Sequence, residues 1–469
     1  MKKLLKGLIC ALVVLLVAVN VSASEEIVVK YTFEKPIAVR GLEGYDKIVI
    51  PELNIHAKPG EPLIPFKTAE ILIPYGHEIQ EIKVVPSKKH YLGKFLIQPA
   101  KKPVRIGERE ETFYRNETIY SSNAPYPKSI YSKVGIQWKK GYQILVLNLY
   151  PVEYIPASRD VSYFEEMTVI VKTKPAQPNE LFRGLVKDRE EIIRIIDNPE
   201  EIATYPQKQS LNEGYKYVII TSEELKDANV TPNFYDLINW RESKGLNGTI
   251  VTAEEIYSSF PGADNQEKIR NFIKYAYLNW STDYVLLAGD ADDEDVGGES
   301  GDNIVPVREL WNFEYDTEGY LIASDLYYAC LDGNYDADGD GIYGEPEDDP
   351  DLMAEVYVGR APVDSSEEVA NFVNKVISYE TASDPYLLET WMVGEKLWED
   401  GDGDCSVEIA LYNGNVSEPE EKLNSLREFR DKVLKDRYVD LYYKYSPKIK
   451  ETLLRNPQLL VEAAMLTVR

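Results

Sequence analysis

Between residues 27 and 173, apolar residues fall into short runs separated by turn residues. The segments Ile27–Phe33, Ala69–Ile73 and Met167–Thr173 have the composition of strands, and proline- and glycine-containing turns at 58–62 and 74–76 separate such segments. Short strands with frequent turn signals are typical of a β-sandwich. We therefore predict an N-terminal all-β sandwich over residues 24–174.

From Tyr215 onward the pattern changes to buried strands that alternate with amphipathic helices. Continuous apolar runs at Tyr217–Ile220 and Tyr284–Ala288 are typical of parallel strands covered on both faces. Asp264 and Ser365 are each followed three residues later by Glu, a capping-box pattern, and then by apolar residues at helical spacing. The alternation predicts a doubly wound α/β domain over residues 215–399.

The flanks of this α/β domain have different patterns. Residues 175–214 are predicted to be a linker with one helical piece at Asp188–Ile196, and Thr231 is predicted to cap the helix that follows the first strand. Trp391–Val393 is predicted to be a fifth strand. Beyond Glu399 the alternation stops, so the parallel sheet is predicted to be incomplete and residues 400–469 to form an acidic linker and a small helical C-terminal tail.

The first 23 residues have the pattern of a secretory signal peptide. Lys2, Lys3 and Lys6 precede the apolar run Leu8–Val19, and small residues follow up to Ala23. This order predicts cleavage after Ala23, the alternative being an uncleaved anchor. Because no later apolar run is long enough to span a membrane, we expect no transmembrane segment after signal removal. The expected location is secreted, extracellular or on the cell surface.

The charge balance limits the partners. The chain has 469 residues, 52 Lys and Arg, 79 Asp and Glu, and a net charge of −27. A protein this acidic is a poor binder of phosphate backbones, so we expect no nucleic-acid partner and favour protein or peptide partners.

The strongest local motif is an acidic run with oxygen side chains at every second residue. Counted from Asn334 as position 1, the run has a glycine, Gly339, at position 6 and a closing glutamate, Glu345, at position 12. This is the spacing of an EF-hand-type calcium loop, with Asn in place of Asp at position 1. We predict a calcium site, without flanking EF-hand helices; the alternative is a solvated acidic loop. The predicted ligands are Asp332, Asn334, Asp336, Asp338, Asp340 and Glu345, and the acidic residues 348–351 are candidates for further ligands.

Two other acidic runs are weaker candidates. Asp400–Asp404 has the alternation without a closing Glu, which fits a flexible linker equally well. Asp290–Asp295 directly follows a parallel strand, at the edge where α/β sheets place their sites. It fits either a metal site or a helix cap.

The histidines and cysteines restrict nucleophilic catalysis. The three histidines are His56, His77 and His90, all in the predicted sandwich, so no Cys–His or Ser–His pair can be assembled within the α/β domain. After signal removal Cys330 and Cys405 remain, either paired or free. Cys330 follows an apolar run, which favours a packing role.

The chain resembles the gingipain-like cysteine peptidases of family C25. Gly60–Pro65 is similar to the G-x-P-x-x-P segment of that family's propeptide, and Tyr284–Asp290, Ser324–Tyr328 and Val358–Arg360 are similar to segments of its caspase-like peptidase domain. The resemblance covers about residues 27–395. It implies an inhibitory propeptide domain followed by a caspase-like α/β domain, with a calcium-like loop after Ser-Asp-Leu-Tyr-Tyr.

The C-terminal part departs from this family. The resemblance implies a catalytic His in a His-Gly context after the fifth strand and a nucleophilic Cys some tens of residues later, but residues 396–469 contain no His. Cys405–Ala410 is instead similar to the start of a CFI-box C-terminal tail of secreted prokaryotic proteins, with Ser406 in place of the expected Phe. No catalytic residue can therefore be assigned from the family.

These observations predict a secreted, calcium-stabilised C25 peptidase homologue that is proteolytically inactive and binds peptides or proteins. A truncated or misassembled gene product has the same sequence features. The alternatives are an active cysteine endopeptidase with an unrecognised dyad and a structural calcium-binding cell-surface protein.

Overall fold

The computed structural model describes residues 26–41, 44–55, 57–101, 104–105, 114–208, 214–291, 303–312, 320–382 and 398–399. The predicted signal cleavage site at Ala23, the predicted fifth strand at 391–393 and the predicted tail at 400–469 lie outside these residues. Among the described residues no helix is both long and apolar enough to cross a membrane.

The first half of the described chain is built almost entirely from antiparallel strands. They are β1 Glu26–Thr32, β2 Ile37–Arg40, β3 Asp46–Val49, β4 Asn54–Ile55, β5 Pro65–Leu72, β6 His77–Pro86, β7 Lys89–Lys94, β8 Val104–Arg105, β9 Tyr131–Lys139, β10 Tyr142–Leu149, β11 Val152–Ile155, β12 Asp160–Phe164 and β13 Glu166–Pro175, with one short helix, α1 Glu117–Tyr120. The main sheets have the orders β1-β13-β6, β4-β5-β10-β9 and β11-β12-β7.

Two of these sheets pack face to face, as predicted for a sandwich. Along β1 and β13 every second residue is buried, and these residues join inward-facing residues of β5 and β10 in one core that includes Ile71, Leu147 and Val169. A strand with one buried face has this alternation because its side chains point to opposite sides of the sheet in turn. The short strand β8 pairs with β20, Trp398–Glu399, from the far end of the described chain.

The second half alternates strands and helices. Its elements are β14 Tyr217–Thr221, α3 Glu223–Lys226, α4 Phe234–Ser243, β15 Gly248–Thr252, α5 Ala253–Ser259, α6 Asn265–Trp280, β16 Tyr284–Ala288, β17 Arg308–Asn312, β18 Tyr320–Ser324, α7 Leu326–Ala329, β19 Tyr357–Ala361 and α8 Ser366–Thr381. Strands β15, β14, β16 and β19 form a parallel sheet in that order. Strands β17 and β18 form an antiparallel pair that the hydrophobic pattern did not indicate.

Helices cover both faces of the parallel sheet, which is why β14 is buried at every residue. One core joins Val218 and Ile220 to α5 and α6, and another joins Ile219 to α4 and α8. Asp264 and Ser365 cap their helices as predicted, by accepting from the backbone N–H three residues on. The prediction for Thr231 is wrong, because Asn233 caps α4 and forms a capping box with Asp236.

The segment between the two halves, residues 176–208, is a packed connection and is called the connecting segment below. It contains helix α2, Val186–Ile193, and a 3-10 turn, Pro199–Thr204. Asn198 pairs with both backbone groups of Leu72 in the sandwich, at 2.7 and 2.9 Å. Leu181 lies fully buried in the core of the α/β region. The connecting segment therefore joins both cores.

Candidate metal site

The predicted calcium loop is anchored to the α/β region by one buried tyrosine. Tyr335 is 2% exposed, and its hydroxyl donates to the carbonyl oxygen of Asp351 at 2.7 Å. Its own carbonyl accepts from Gly344 N–H at 2.7 Å, which closes the loop at its base. Between these points Gly339 has φ +78°, a left-handed conformation that glycine adopts without steric cost.

Two overlapping groups of carboxylates lie in this loop. Asp336, Asp338 and Asp348 form the first group and Asp338, Asp340 and Glu345 form the second; in each group the ligand oxygens lie within 4.8 Å of one another. Asp338 belongs to both. Asp348, which lies outside the twelve-residue spacing, was a candidate for a further ligand in the sequence.

Backbone amides hold several of these carboxylates in place. Asp348 is buried and accepts from Ala337 N–H at 2.5 Å and from Gly344 N–H at 2.9 Å. Asp336 accepts from Gly341 N–H at 3.1 Å, and Asp340 from Ile342 N–H at 2.7 Å. These bonds orient the oxygens before any ion arrives.

The environment of Glu345 favours a cation. Desolvation, followed by the charges of Asp340 and Glu347, raises the pKa of Glu345 above its ordinary value. A divalent ion reverses that cost by pairing with the carboxylates, and hard oxygen donors at this density suit Ca²⁺. The donor set therefore fits calcium.

The other two predicted ligands, Asn334 and Asp332, have contacts of their own. Asn334 is exposed, and its side-chain oxygen accepts from Asp336 N–H at 3.1 Å, an arrangement that shapes the turn. Asp332 is grouped instead with Cys330 and Glu355, and it accepts from Asn179 Nδ2 at 3.0 Å. The structure thus brings together Asp336, Asp338, Asp340 and Glu345 and adds Asp348.

The cluster around Asp332 is buried and acidic. Glu355 is 1% exposed and accepts from Lys140 N–H at 3.0 Å and from Leu331 N–H at 2.8 Å. Burial and mutual repulsion raise the pKa of both Asp332 and Glu355, and burial raises the pKa of Asp351 to about 6. Arg270 binds the carbonyl oxygens of Cys330 and Asp332, at 2.9 and 2.7 Å, which fixes the entry to the loop.

Cys330 has the environment of a packing residue. Its side chain is fully buried, and Sγ lies 3.0 Å from the carbonyl oxygen of Asp351, to which the thiol donates. Burial, followed by the charge of Glu355, raises the pKa of the thiol well above its ordinary value. Since the thiolate is the nucleophilic form, this environment disfavours nucleophilic attack. Cys405 lies outside the described residues.

The described histidines lie in the sandwich and have local partners there. His77 Nδ1 lies 3.1 Å from the carbonyl oxygen of Tyr75, and His90 Nε2 lies 3.9 Å from Glu165. His56 lies outside the described residues. The structure therefore shows no Cys–His pair among His77, His90 and Cys330.

Segments that carry the family resemblance meet at the carboxyl end of the parallel sheet. Arg360 binds both carboxylate oxygens of Asp325, at 2.9 and 2.7 Å, and donates to the carbonyl oxygens of Gly289 and Val305 at 2.9 and 2.6 Å. Sequence reasoning did not assign this role to Arg360. Asp290 contributes backbone bonds to Val363 and Val305 at the same edge; residues 292–295 of its acidic run lie outside the described residues.

Comparison with known proteins identifies two family matches. The model of peptidase family C25 matches residues 210–457, and the model of the C25 propeptide matches residues 22–196. The first match runs into the segment predicted as an acidic linker and tail, whose assignment stays a prediction.

Curated relatives agree with these matches. Gingipain R1 of Porphyromonas gingivalis is 24% identical over 373 residues, which cover 77% of this chain and 33% of the relative. Gingipain R2 of the same species is 23% identical over 376 residues, which cover 77% of this chain and 44% of the relative. The matched part of the chain thus spans 33% of the length of gingipain R1 and 44% of the length of gingipain R2.

Two solved structures show limited overlap. The complex of the Porphyromonas gingivalis RgpB pro- and mature domains has 19% identity and a TM-score of 0.31, covering 38% of this chain and 95% of that chain. A structure on the zymogenic latency of gingipain K from the same species has 14% identity and a TM-score of 0.28, covering 34% and 98%. Overlaps of this size support no further conclusion.

Proposed function

The chain belongs to peptidase family C25, and we propose that residues 24–469 act as a secreted, calcium-stabilised member that does not cleave proteins and binds peptide or protein partners. The distribution of histidine carries this proposal. His56, His77 and His90 all lie in residues matched by the propeptide, and the residues matched by the peptidase contain none. A cysteine nucleophile needs a base to activate it.

The state of Cys330 supports inactivity. Its thiol is buried, is held by a carbonyl oxygen and has a raised pKa, which is the opposite of an activated nucleophile. Cys405 is the other cysteine in the peptidase match, and no histidine lies in that match to act as its base.

Calcium is proposed to bind in the loop between Asp336 and Asp348. Asp336, Asp338, Asp340, Glu345 and Asp348 would hold the ion or ions, because their oxygens converge and several are already oriented by amides. The ion neutralises repelling carboxylates and so stabilises the folded chain. Secretion is proposed from the signal pattern that ends at Ala23.

The test of inactivity is proteolysis of an unfolded protein substrate by residues 24–469, with calcium and a mild reductant, over a day. A commercial cysteine peptidase serves as the positive control. We expect no cleavage from a sample whose melting temperature rises with calcium. Cleavage that a thiol-alkylating reagent abolishes would overturn the proposal, and Cys330→Ser and Cys405→Ser variants would then identify the nucleophile.

Calcium binding is tested by titration calorimetry of the same chain. Asp338→Asn removes a carboxylate shared by both groups, so we expect affinity to fall by about tenfold or more. Glu367→Gln is the matched control, because Glu367 is an exposed carboxylate on α8 and belongs to neither group. Equal affinities for the two variants would contradict the assigned ligands.

A further inference from the structure

We propose that calcium binding at the loop and docking of the sandwich on the α/β region are thermodynamically linked. This inference rests on the proposed calcium site. Its structural basis is a short acidic segment, Asp351–Glu355, which continues the loop on one side and receives the β9–β10 hairpin on the other. We call Asp351–Glu355 the docking segment.

The end of the hairpin meets the docking segment through four hydrogen bonds. Trp138 N–H donates to a carboxylate oxygen of Asp351 at 2.5 Å, and Lys140 N–H donates to Glu355 at 3.0 Å. Gln137 accepts from the backbone N–H of residue 352 at 3.2 Å, and the ammonium of Lys139 donates to the carbonyl oxygen of residue 354 at 3.2 Å. Asp351 and Glu355 are both buried.

The docking segment is also part of the loop's support. The carbonyl oxygen of Asp351 accepts from the hydroxyl of Tyr335, which anchors the loop, and from the thiol of Cys330. Asp348, which lies three residues before Asp351, accepts from the amides of Ala337 and Gly344 within the loop. A shift of the loop at Asp348 or Tyr335 therefore displaces the residue that receives Trp138.

The connecting segment also holds the hairpin in place, so the hairpin has little freedom to follow such a shift. Lys140 is buried and pairs with Glu191 at 2.5 Å and with Asp188 at 3.6 Å, both on α2. Gly141 packs against the backbone of Phe182, where an added Cβ would lie 2.3 Å from the nitrogen. The docked geometry is therefore one defined arrangement.

Linkage follows from this shared segment. A bound ion would fix the position of Asp348 and of the loop that Tyr335 anchors, and both are connected to Asp351, so calcium and docking favour the same arrangement of the docking segment. Coupling of this kind is reciprocal: calcium favours the docked over the undocked arrangement by the same factor by which docking raises the affinity for calcium. A variant that populates the undocked arrangement therefore binds calcium more weakly. The propeptide match would then regulate the cation site of the peptidase match.

The test measures both directions on residues 24–469. Hydrogen exchange of peptides that cover 136–141 is recorded with and without calcium, and we expect calcium to slow exchange at Trp138 and Lys140. Calorimetry then compares the double variant Gln137→Ala/Lys139→Ala with Val134→Ala/Lys133→Ala. Both doubles remove one lysine from β9, but Val134 and Lys133 are exposed.

We expect the first double variant to bind calcium at least about fivefold more weakly, because two of the four docking bonds are lost, and the control to bind as the parent does. Melting curves confirm that both variants fold. If the parent binds calcium but exchange at 136–141 is unchanged and both variants bind equally, the linkage is wrong and the calcium proposal stands. If the parent binds no calcium, the calcium proposal itself fails.

Discussion

The buried guanidinium of Arg183 offers the sharpest test of how the two halves are joined. It is 1% exposed, binds both oxygens of Asp188 at 3.0 and 2.7 Å, and reaches Asp283 at 3.2 Å. Its Cζ lies 3.9 Å from the centre of the Tyr277 ring. Arg183→Met keeps most of the volume and removes the charge.

We expect Arg183→Met to cause a large loss of unfolding free energy, because Asp188 is fully buried. Lys140, at 3.6 Å, remains as its nearest cation after the substitution. Removing one partner of a buried ion pair typically costs about 3–5 kcal/mol, since the other charge stays desolvated. For a protein region of this size such a cost corresponds to a fall in melting temperature of about 10 °C.

The assay is urea unfolding followed by tryptophan fluorescence, with Arg40→Met as the control. Arg40 pairs with Asp46 at 3.1 Å on the surface, so its loss should cost less than about 1 kcal/mol. Asp188→Asn and the double variant Arg183→Met/Asp188→Asn complete a cycle, in which we expect a coupling energy above about 1.5 kcal/mol. A cost for Arg183→Met no greater than for Arg40→Met would refute the reasoning.

Three further substitutions or reactions test separate features. Gly141→Ala should lower the free energy of unfolding by more than about 2 kcal/mol, because it places an alanine in a left-handed conformation against Phe182. The control Gly245→Ala, with φ +82° and open space around it, should lower it by about 1 kcal/mol. Equal losses in unfolding curves would argue against the contact with Phe182. Cys330, in a variant where it is the only cysteine, should react with a thiol reagent roughly a hundredfold more slowly when folded than in denaturant, and equal rates would show it accessible. Asp264→Ala removes a helix cap and the ion pair with Arg308, and should lower the free energy of unfolding by about 2 kcal/mol. Asp264→Asn should restore the part of this free energy that comes from the cap, because its side-chain oxygen can still accept from Glu267 N–H. Equal stabilities of the two variants would contradict the cap.

The sequence predicts strands and helix caps correctly where a few neighbouring residues determine them. The run Tyr284–Ala288 forms β16 with the predicted bounds, and Asp264 caps α6. Such features depend on a few neighbouring residues. Thr231 was assigned wrongly for a related reason, because Asn233 offers a stronger cap two residues later.

Long-range pairings were beyond the sequence pattern. The bidentate pair of Arg360 with Asp325 joins residues 35 positions apart, and nothing in the local spacing marks either residue. The loop shows both cases: alternation predicted Asp336, Asp338, Asp340 and Glu345, which do converge, but it also included Asp332, which faces the buried Glu355 instead. The spacing of acidic residues gives their order along the chain, but the packing around each residue determines the direction in which its side chain points.

The position of Leu181 has a consequence for how such proteins can be divided. The propeptide match ends at residue 196 and the peptidase match begins at 210, yet Leu181 is fully buried in the core of the α/β region. A cut between the two matches would leave a leucine-sized hole in one fragment and an exposed leucine on the other. A crossover before Leu181 would instead separate Phe182, Ile192 and Tyr205 from the core of the sandwich. The connecting segment therefore offers no position at which the two matches can be exchanged between relatives without disturbing one of the cores, although the family boundary in the sequence lies within it.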